Sequence, residues 1–521
     1  MKKIIKRILL IVLLSGHLIY AQNSNPVIEN IINEANNNSQ LEELAYKLLD
    51  VVGPRLVGTP QMKNAHDWVA SQYEEWGISS RLEQYGEWNG WERGITHIDM
   101  IYPRNQTLKG TQLAWSPGTS DAGITAELIT IPRFRDEADF NAWLPSVKGK
   151  IVMVSFNHPT GRPDYNWEEW ATEESFQNMK ANRDSLIAEW RSNLARSGHN
   201  YYGVRFSKEG FRKLEEAGAL GVIANRWSRG FGANKIFSSY TTIVPTIDLS
   251  LEDYTMLYRM VEHGVKPQIK VVSKSKDLGK VPTYNSFGEI KGTEKPNEYV
   301  MLSAHLDTWD GSSGATDNGT GTITMMEAMR ILKKFYPNPK RTILAGHWEG
   351  EEQGLNGSRA FVEDHPEIVN NLQALFNQDS GTGRVESISG SGFLYAYDFL
   401  NRWLHPVPKE ITDFIKTEFP GSPSGGGSDH SSFIAVGAPG FNLNSLNWSY
   451  DNYTWHTNID TYDKIIFDDV RNNAILTAIL VYMASEDPRT FPRDKRVMPL
   501  DKDTGKPLSW PAQRSPNRKG N

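Results

Sequence analysis

The 521-residue chain has no cysteine. That excludes a disulfide framework, a thiolate-bound metal, a cysteine nucleophile and a lipidated amino-terminal cysteine. Any metal it holds is bound by imidazole and carboxylate. Long hydrophobic runs are equally scarce. The one candidate, Ile8 to Tyr20, follows a basic start that includes Lys2, Lys3, Lys6 and Arg7, is too short for a comfortable membrane span, and leads to Ala21-Gln22, where a small residue suits cleavage. It reads as a secretory signal peptide over 1–21, with an uncleaved anchor as the rival. The expected location is therefore the periplasm or the exterior, with no membrane span after cleavage. Positive charge is also in short supply. The net charge of −6 becomes −10 when the four basic residues of the leader are lost, because 1–21 contains no acid. Nucleic acid is thus not an expected partner.

What is present argues for a globular protein of at least two domains, since the chain is long and 39% of it is hydrophobic. Asn23 to Gln40 is an Asn/Ser-rich spacer leading into a short helix. Gly53-Pro-Arg55-Leu-Val-Gly58-Thr-Pro60 is turn-rich and precedes a helix from Gln61 to Trp76, which Gly77 stops; Arg81 to Gln84 and Ile95 to Tyr102 look like strands. From about Gly110 the texture changes to short segments separated by Gly and Pro, such as Ala126 to Ile131, Gly149 to Ser155 and Ala219 to Ala224. This predicts a smaller β-rich domain over 113–279, inserted between two pieces of a larger one, 22–112 and 280–487. Within it, the polar stretch about 158–205 has helical composition and is either a lid or, by preference, a solvated surface hairpin.

After Val281 strands and helices alternate. Strands are expected at Glu298 to Ala304, Arg341 to Gly346, Leu372 to Asn377 and Gly440 to Asn444. Helices are expected at Gly319 to Phe335, around Ser358 to Asp364, at Lys409 to Thr417 and at Asp468 to Ala484. Such alternation predicts an α/β fold: a mostly parallel mixed sheet with helices on both faces. The tail 488–521, rich in Pro, Lys and Arg, is expected on the surface or poorly ordered.

His305, the pair Glu351-Glu352 and Asp379 each follow a predicted strand directly. Asp317 lies in a glycine-rich loop opening a helix, and His456 follows another strand and a Trp/Tyr-rich loop. In open parallel sheets the carboxyl edge of the strands is where ligands bind. Two imidazoles and three carboxylates suit a borderline-hard divalent ion such as zinc, yet five ligands exceed what one catalytic zinc takes from a protein. If one carboxylate bridges, they serve two ions about 3.5 to 4 Å apart. Glu351 is left beside the site as a general base, and Asp307, two residues after His305, can accept the second imidazole N–H. Singly these signals are weak, for a Glu-Glu pair is usually a solvated helix start and Asp-Asn-Gly a turn. A Ser428-Asp429-His430 hydrolase is a remote rival, because consecutive side chains diverge and no nucleophile elbow is present.

His305-Leu-Asp307 through Asp317-Asn-Gly319, Trp348-Glu-Gly-Glu351-Glu352, Asp379, Ser428-Asp429-His430 and His456-Thr457 resemble the co-catalytic zinc exopeptidases of the aminopeptidase and carboxypeptidase Q type. Gly53 to Pro60 is similar to a motif of the same family, and Glu216 to Ala224 resembles a protease-associated domain. The resemblance spans about residues 40 to 485. It implies two zinc ions per chain, with Asp317 bridging, His305 and Asp379 on one ion, and Glu352 and His456 on the other. Glu351 is then the general base and Asp307 the orienting residue, with Tyr450 or Tyr453 a candidate for contact with the oxyanion. The implied reaction is hydrolysis of peptide bonds near peptide ends or in dipeptides. A single-zinc glutaminyl cyclase and a non-catalytic binding protein are the alternatives. Terminus preference and oligomeric state, a homodimer included, stay open.

Overall fold

The structure is a computed structural model, and it describes residues 25–203 and 205–520. The signal peptide expected at 1–21 lies outside the described residues. No helix among the described residues is long and apolar enough to cross a membrane.

The chain begins with helices α1 (Pro26–Asn37) and α2 (Pro60–Glu75), the latter capped by the Thr59 hydroxyl, which accepts from the Met62 N–H. Strand β1 (Ser79–Tyr102) follows. The two strands expected here are one 24-residue strand, because its partner is equally long. Next come four short strands, β2 (Ile124–Thr130), β3 (Ile151–Met153), β4 (Gly221–Ala224) and β5 (Thr246–Leu249). Between β3 and β4 the polar stretch forms helices α3 (Asp164–Trp170) and α4 (Glu173–Arg196), clamped together by Arg183, which donates to both oxygens of Asp164 at 2.5 and 3.0 Å. The pair is more than a solvated hairpin. Phe176, Met179, Trp190 and Leu194 are buried along α4, and Tyr165 meets Tyr453 edge to face.

Strand β6 (Gln268–Ile290) spans the molecule: its first residues pair with β2, its last with the remaining strands, and β1 runs antiparallel along its length. Beyond it lie β7 (Lys295–His305), helix α5 (Thr320–Phe335), β8 (Arg341–Trp348), helix α6 (Asn356–Asp364), β9 (Leu372–Asn377), β10 (Val385–Ser389), β11 (Lys416–Glu418), the short helix α7 (His430–Ala435), β12 (Gly440–Ser445) and helix α8 (Phe467–Glu486). One mixed sheet runs in the order β11-β10-β12-β9-β7-β8-β6-β2-β3-β4-β5 and ends on Gly110–Gln112. The helix expected over Lys409 to Thr417 stops at Thr412. Its one turn buries only Ile411, too little to hold a longer helix against a strand that starts at Lys416.

Strand periodicity explains the layers. On β7 Val300, Leu302 and Ala304 point into the core shared with α5 and α8, while Met301 joins Phe287, Leu344, Trp348 and Phe361 under α6 and α7. Both faces are covered, so the strand reads as continuously apolar rather than alternating. The strands β2 to β5 carry two further cores. The tail after Asp487 lies on the surface and is pinned there: the Trp510 indole donates to the Ile434 carbonyl, and Arg518 pairs with Glu363 and Asp364.

Candidate metal centre

Strands β7, β8 and β9 are parallel neighbours, so their carboxyl ends open on one edge. His305 is the last residue of β7, Glu351 and Glu352 follow the end of β8, and Asp379 lies two residues past β9. Asp317 sits in the loop that enters α5, and the peptide after it is cis. His456 reaches the same place from the loop after β12 and adopts a left-handed backbone, φ 55°, which an L-residue holds only where its surroundings fix it. Those surroundings are aromatic: Trp455 stacks on the His456 ring at 4.0 Å, and Phe237 meets it edge-on at 5.0 Å.

The five residues converge in two overlapping groups. His305 Nε2 lies 3.2 Å from Asp379 Oδ1 and 3.4 Å from Asp317 Oδ1. His456 Nε2 lies 2.8 Å from Glu352 Oε2 and 3.3 Å from Asp317 Oδ2. The two oxygens of Asp317 therefore face different histidines. Glu351 falls with His305 and Asp379 within ligand distance of a common point. Asp317 Oδ2 and Glu352 Oε1 are buried without a hydrogen-bond partner, an expensive state for a carboxylate. Imidazole nitrogens and carboxylate oxygens so arranged fit divalent zinc.

The electrostatics agree with a cation site. Burial pushes Glu351 and Glu352 well above the usual carboxylate range; the charges of Asp379, Asp429 and Glu352 add to the effect on Glu351, and those of Asp317, Asp307 and Asp379 to the effect on Glu352. Burial holds His456 down to about 4, which keeps its ring neutral, as a metal ligand must be. For His305 burial acts the same way, but the charges of Asp379 and Glu351 and the hydrogen bonds of Asp307 and Asp317 outweigh it and raise its pKa. So dense a set of acids attracts positive charge, whether a proton or a metal.

Asp307 differs from the expectation in detail. The His305 Nδ1 partner is the Asp307 backbone carbonyl, at 2.9 Å, with the carboxylate Oδ1 at 3.6 Å. The carboxylate instead accepts the N–H of Glu351 at 3.2 Å and of Glu352 at 3.3 Å. It thus ties the β7 loop to the β8 loop. Of the two tyrosines, Tyr450 lines the cleft within the field of Asp317, whereas Tyr453 packs against Gly230 and Tyr165. Glu349 and Asp310, the remaining acids of these two loops, are already engaged: Glu349 by His66 and the Tyr284 N–H, Asp310 by Arg93. Ser428 accepts from the Asn377 amide and takes no part in a hydrolase triad.

Two supports were not legible as functional in the sequence. Asp460 accepts the N–H groups of Thr316 and Asp317 at 2.9 to 3.1 Å, and burial lifts its pKa to about 7. Arg55, fully buried, donates to the carbonyls of Gly53, Leu306, Ser313 and Gly314. Only the Gly53 to Pro60 motif hinted at Arg55; nothing around Asp460 is patterned.

Residues 285–481 match the sequence model of Peptidase family M28. Over that segment, which holds all of the candidate ligands, the chain is similar to this peptidase family. Human carboxypeptidase Q is 26% identical over 466 residues, covering 88% of this chain and 87% of that protein. Leucine aminopeptidase 1 of Coccidioides posadasii is 25% identical over 340 residues, 60% of this chain and 85% of that protein. Among solved structures, the peptidase M28 precursor from Shewanella amazonensis superposes with a TM-score of 0.63 at 22% identity, over 90% of this chain and 98% of that one. The zinc aminopeptidase of Bacillus subtilis gives 0.56 at 19%, over 88% and 97%. The M28 match covers every strand end that carries a candidate ligand, and it supports metallopeptidase activity.

Proposed function

We propose that the chain is a zinc metallo-exopeptidase, exported by the leader at 1–21, that hydrolyses peptide bonds close to the ends of short peptides or in dipeptides. The observation that carries the reading is the division of Asp317, whose two oxygens face His305 and His456 separately. In this reading Asp317 would be shared by two ions, with His305 and Asp379 holding one and Glu352 and His456 the other. Bound zinc supplies Lewis acidity toward the scissile carbonyl and the attacking water.

The chain's own groups do the rest. Glu351, buried but not needed as a ligand, takes a proton from the water and passes it to the leaving amine; its raised affinity for protons suits that exchange. The Tyr450 hydroxyl, at the cleft wall, donates to the oxygen that becomes negative. Asp307 fixes the imidazole of His305 through its carbonyl and the backbone of the base through its carboxylate.

Replacing Glu351 with Gln tests the assignment. Dipeptide hydrolysis by the zinc-loaded protein should fall by about 10² to 10⁴ while metal content stays at two per chain. Unchanged hydrolysis with metal bound removes Glu351 from the role. One zinc per chain in the wild type, with no peptide cleaved, favours a cyclase-type reaction on the same fold.

A further inference from the structure

The metal cleft, a cavity of about 390 Å³, is acidic on the side already described, but two guanidinium groups line it as well: Arg359 from α6 and Arg514 from the tail. Among the described residues neither forms an ion pair or a hydrogen bond with a carboxylate. Their neighbour Arg518 shows the contrast, since it is paired with Glu363 and Asp364. Arg359 and Arg514 feel each other's charge; burial first and Arg514 second hold Arg359 below its ordinary pKa. Two like charges left together at the lip of a cavity are stabilised by an anion that enters it.

Arg514 is not a stray surface residue. The tail is fixed on both sides of it, by the Trp510 indole on the Ile434 carbonyl at 2.7 Å and by the Asn517 N–H on Asn356 Oδ1 at 2.8 Å. Its position lies outside the M28 match, which ends at 481. The other cation near the cleft, Lys235, is occupied, donating to the carbonyls of Asp451 and Trp455.

We propose that Arg359 and Arg514 form a carboxylate-binding pair on the leaving-group side of the cleft, so that the chain selects peptides with a carboxylate just beyond the scissile bond. The side follows from the reading above, on which this inference rests: Glu351 hands its proton to the leaving amine, and Arg359 lies one helical turn past the Glu351 loop and within its field. His456 and Trp455 line the same cleft. The carboxylate belongs either to the terminal residue itself or to an acidic side chain at the same place.

Three substrates separate these cases: a neutral dipeptide acid, the same dipeptide as its amide, and an amide whose second residue is Glu. For the zinc-loaded wild type, kcat/KM for the acid should exceed that for the neutral amide by about tenfold to a hundredfold. Arg359→Gln and Arg514→Gln should each bring that ratio toward one, and Arg514→Lys should keep part of it. Recovery with the Glu amide assigns the pair to side-chain carboxylates as well; none assigns it to the terminus alone. A wild-type ratio near one, or variants that keep the ratio, overturns the proposal. Should Arg359→Gln fail to fold, Arg514→Gln on the exposed tail decides it alone. Calorimetry on zinc-loaded Glu351→Gln with acid and amide reads binding without turnover. Carboxylate-dependent binding by a wild type that cleaves nothing sinks the peptidase reading and leaves the pair; cleavage without acid preference does the reverse.

Discussion

Asp460 illustrates how a residue without any ligand role governs a metal loop. Its carboxylate holds the backbone N–H of Thr316 and of Asp317, the residue with one oxygen toward each histidine. Asp460→Ala frees both amides, and zinc affinity should fall about 10- to 100-fold, measured by competition with a chromogenic chelator. A different acid carries a prediction about pH. Asp248 is buried, accepts from the Asn234 amide at 2.7 Å, and is pushed up to about 8 by burial. The folded chain keeps a proton there that the unfolded chain releases from about pH 4 upward. This group therefore costs stability progressively as pH rises from about 4 to 8. Asp248→Asn removes the titration, so its melting temperature should exceed the wild type's by a margin that widens across that window. A margin constant with pH would show that Asp248 is ionised in the folded chain.

At the scale of elements, the amino end of α5 is packed against the loop after β9. A Cβ added at Gly321 would stand 2.3 Å from Asn318 Oδ1 and 2.6 Å from the Gln378 carbonyl, and backbone cannot yield as a side-chain tip can. Gly321→Ala should thus cost about 1 to 3 kcal/mol, seen as a lower denaturant midpoint, and should weaken zinc binding by separating Asp317 from Asp379. The elements themselves were largely legible. Apolar runs such as Tyr299 to Ala304 and Leu372 to Asn377 are short, bounded by turns and followed by polar residues, which is how a doubly covered parallel strand reads. The β1–β6 ribbon was not, because Gly86, Gly90 and Gly94 interrupt the apolar pattern of a strand whose pairing is nonetheless continuous apart from bulges. The helical hairpin at 164–196 was legible as helix but not as a packed one, since Trp190 and Leu194 share their core with Ile131, Val152 and Val222 from distant segments.

For the whole molecule, the proposed metal site joins loops that follow β7, β8, β9 and β12, so metal binding should hold the entire sheet edge together. Removing zinc with a chelator should abolish hydrolysis and lower the melting temperature, and zinc should restore both. Zinc at about a thousand times its dissociation constant adds about 4 kcal/mol to the folded state. A melting temperature indifferent to chelation would mean that the five side chains bind no ion in solution.

The sequence by itself determined the residue types available for chemistry. Without cysteine, a metal must rest on histidine and carboxylate; His305, Glu351, Glu352 and Asp379 stand where strand ends are written in local apolar runs, and Asp317 and His456 lie in the loops beyond. Those are short-range signals, set by period and by turn residues. Only the tertiary structure decided that the carbonyl of Asp307, rather than its carboxylate, meets His305, that Asp460 and Arg55 hold the loops, and that Arg514 of the tail comes back to line the same cleft as Glu351. The contact of His305 with Asp307 is local and turns on the exact path of the loop; the Asp460 and Arg55 contacts and the return of Arg514 join segments far apart in the chain, fixed by how the sheet edge brings loops together, and no local pattern of residues encodes them.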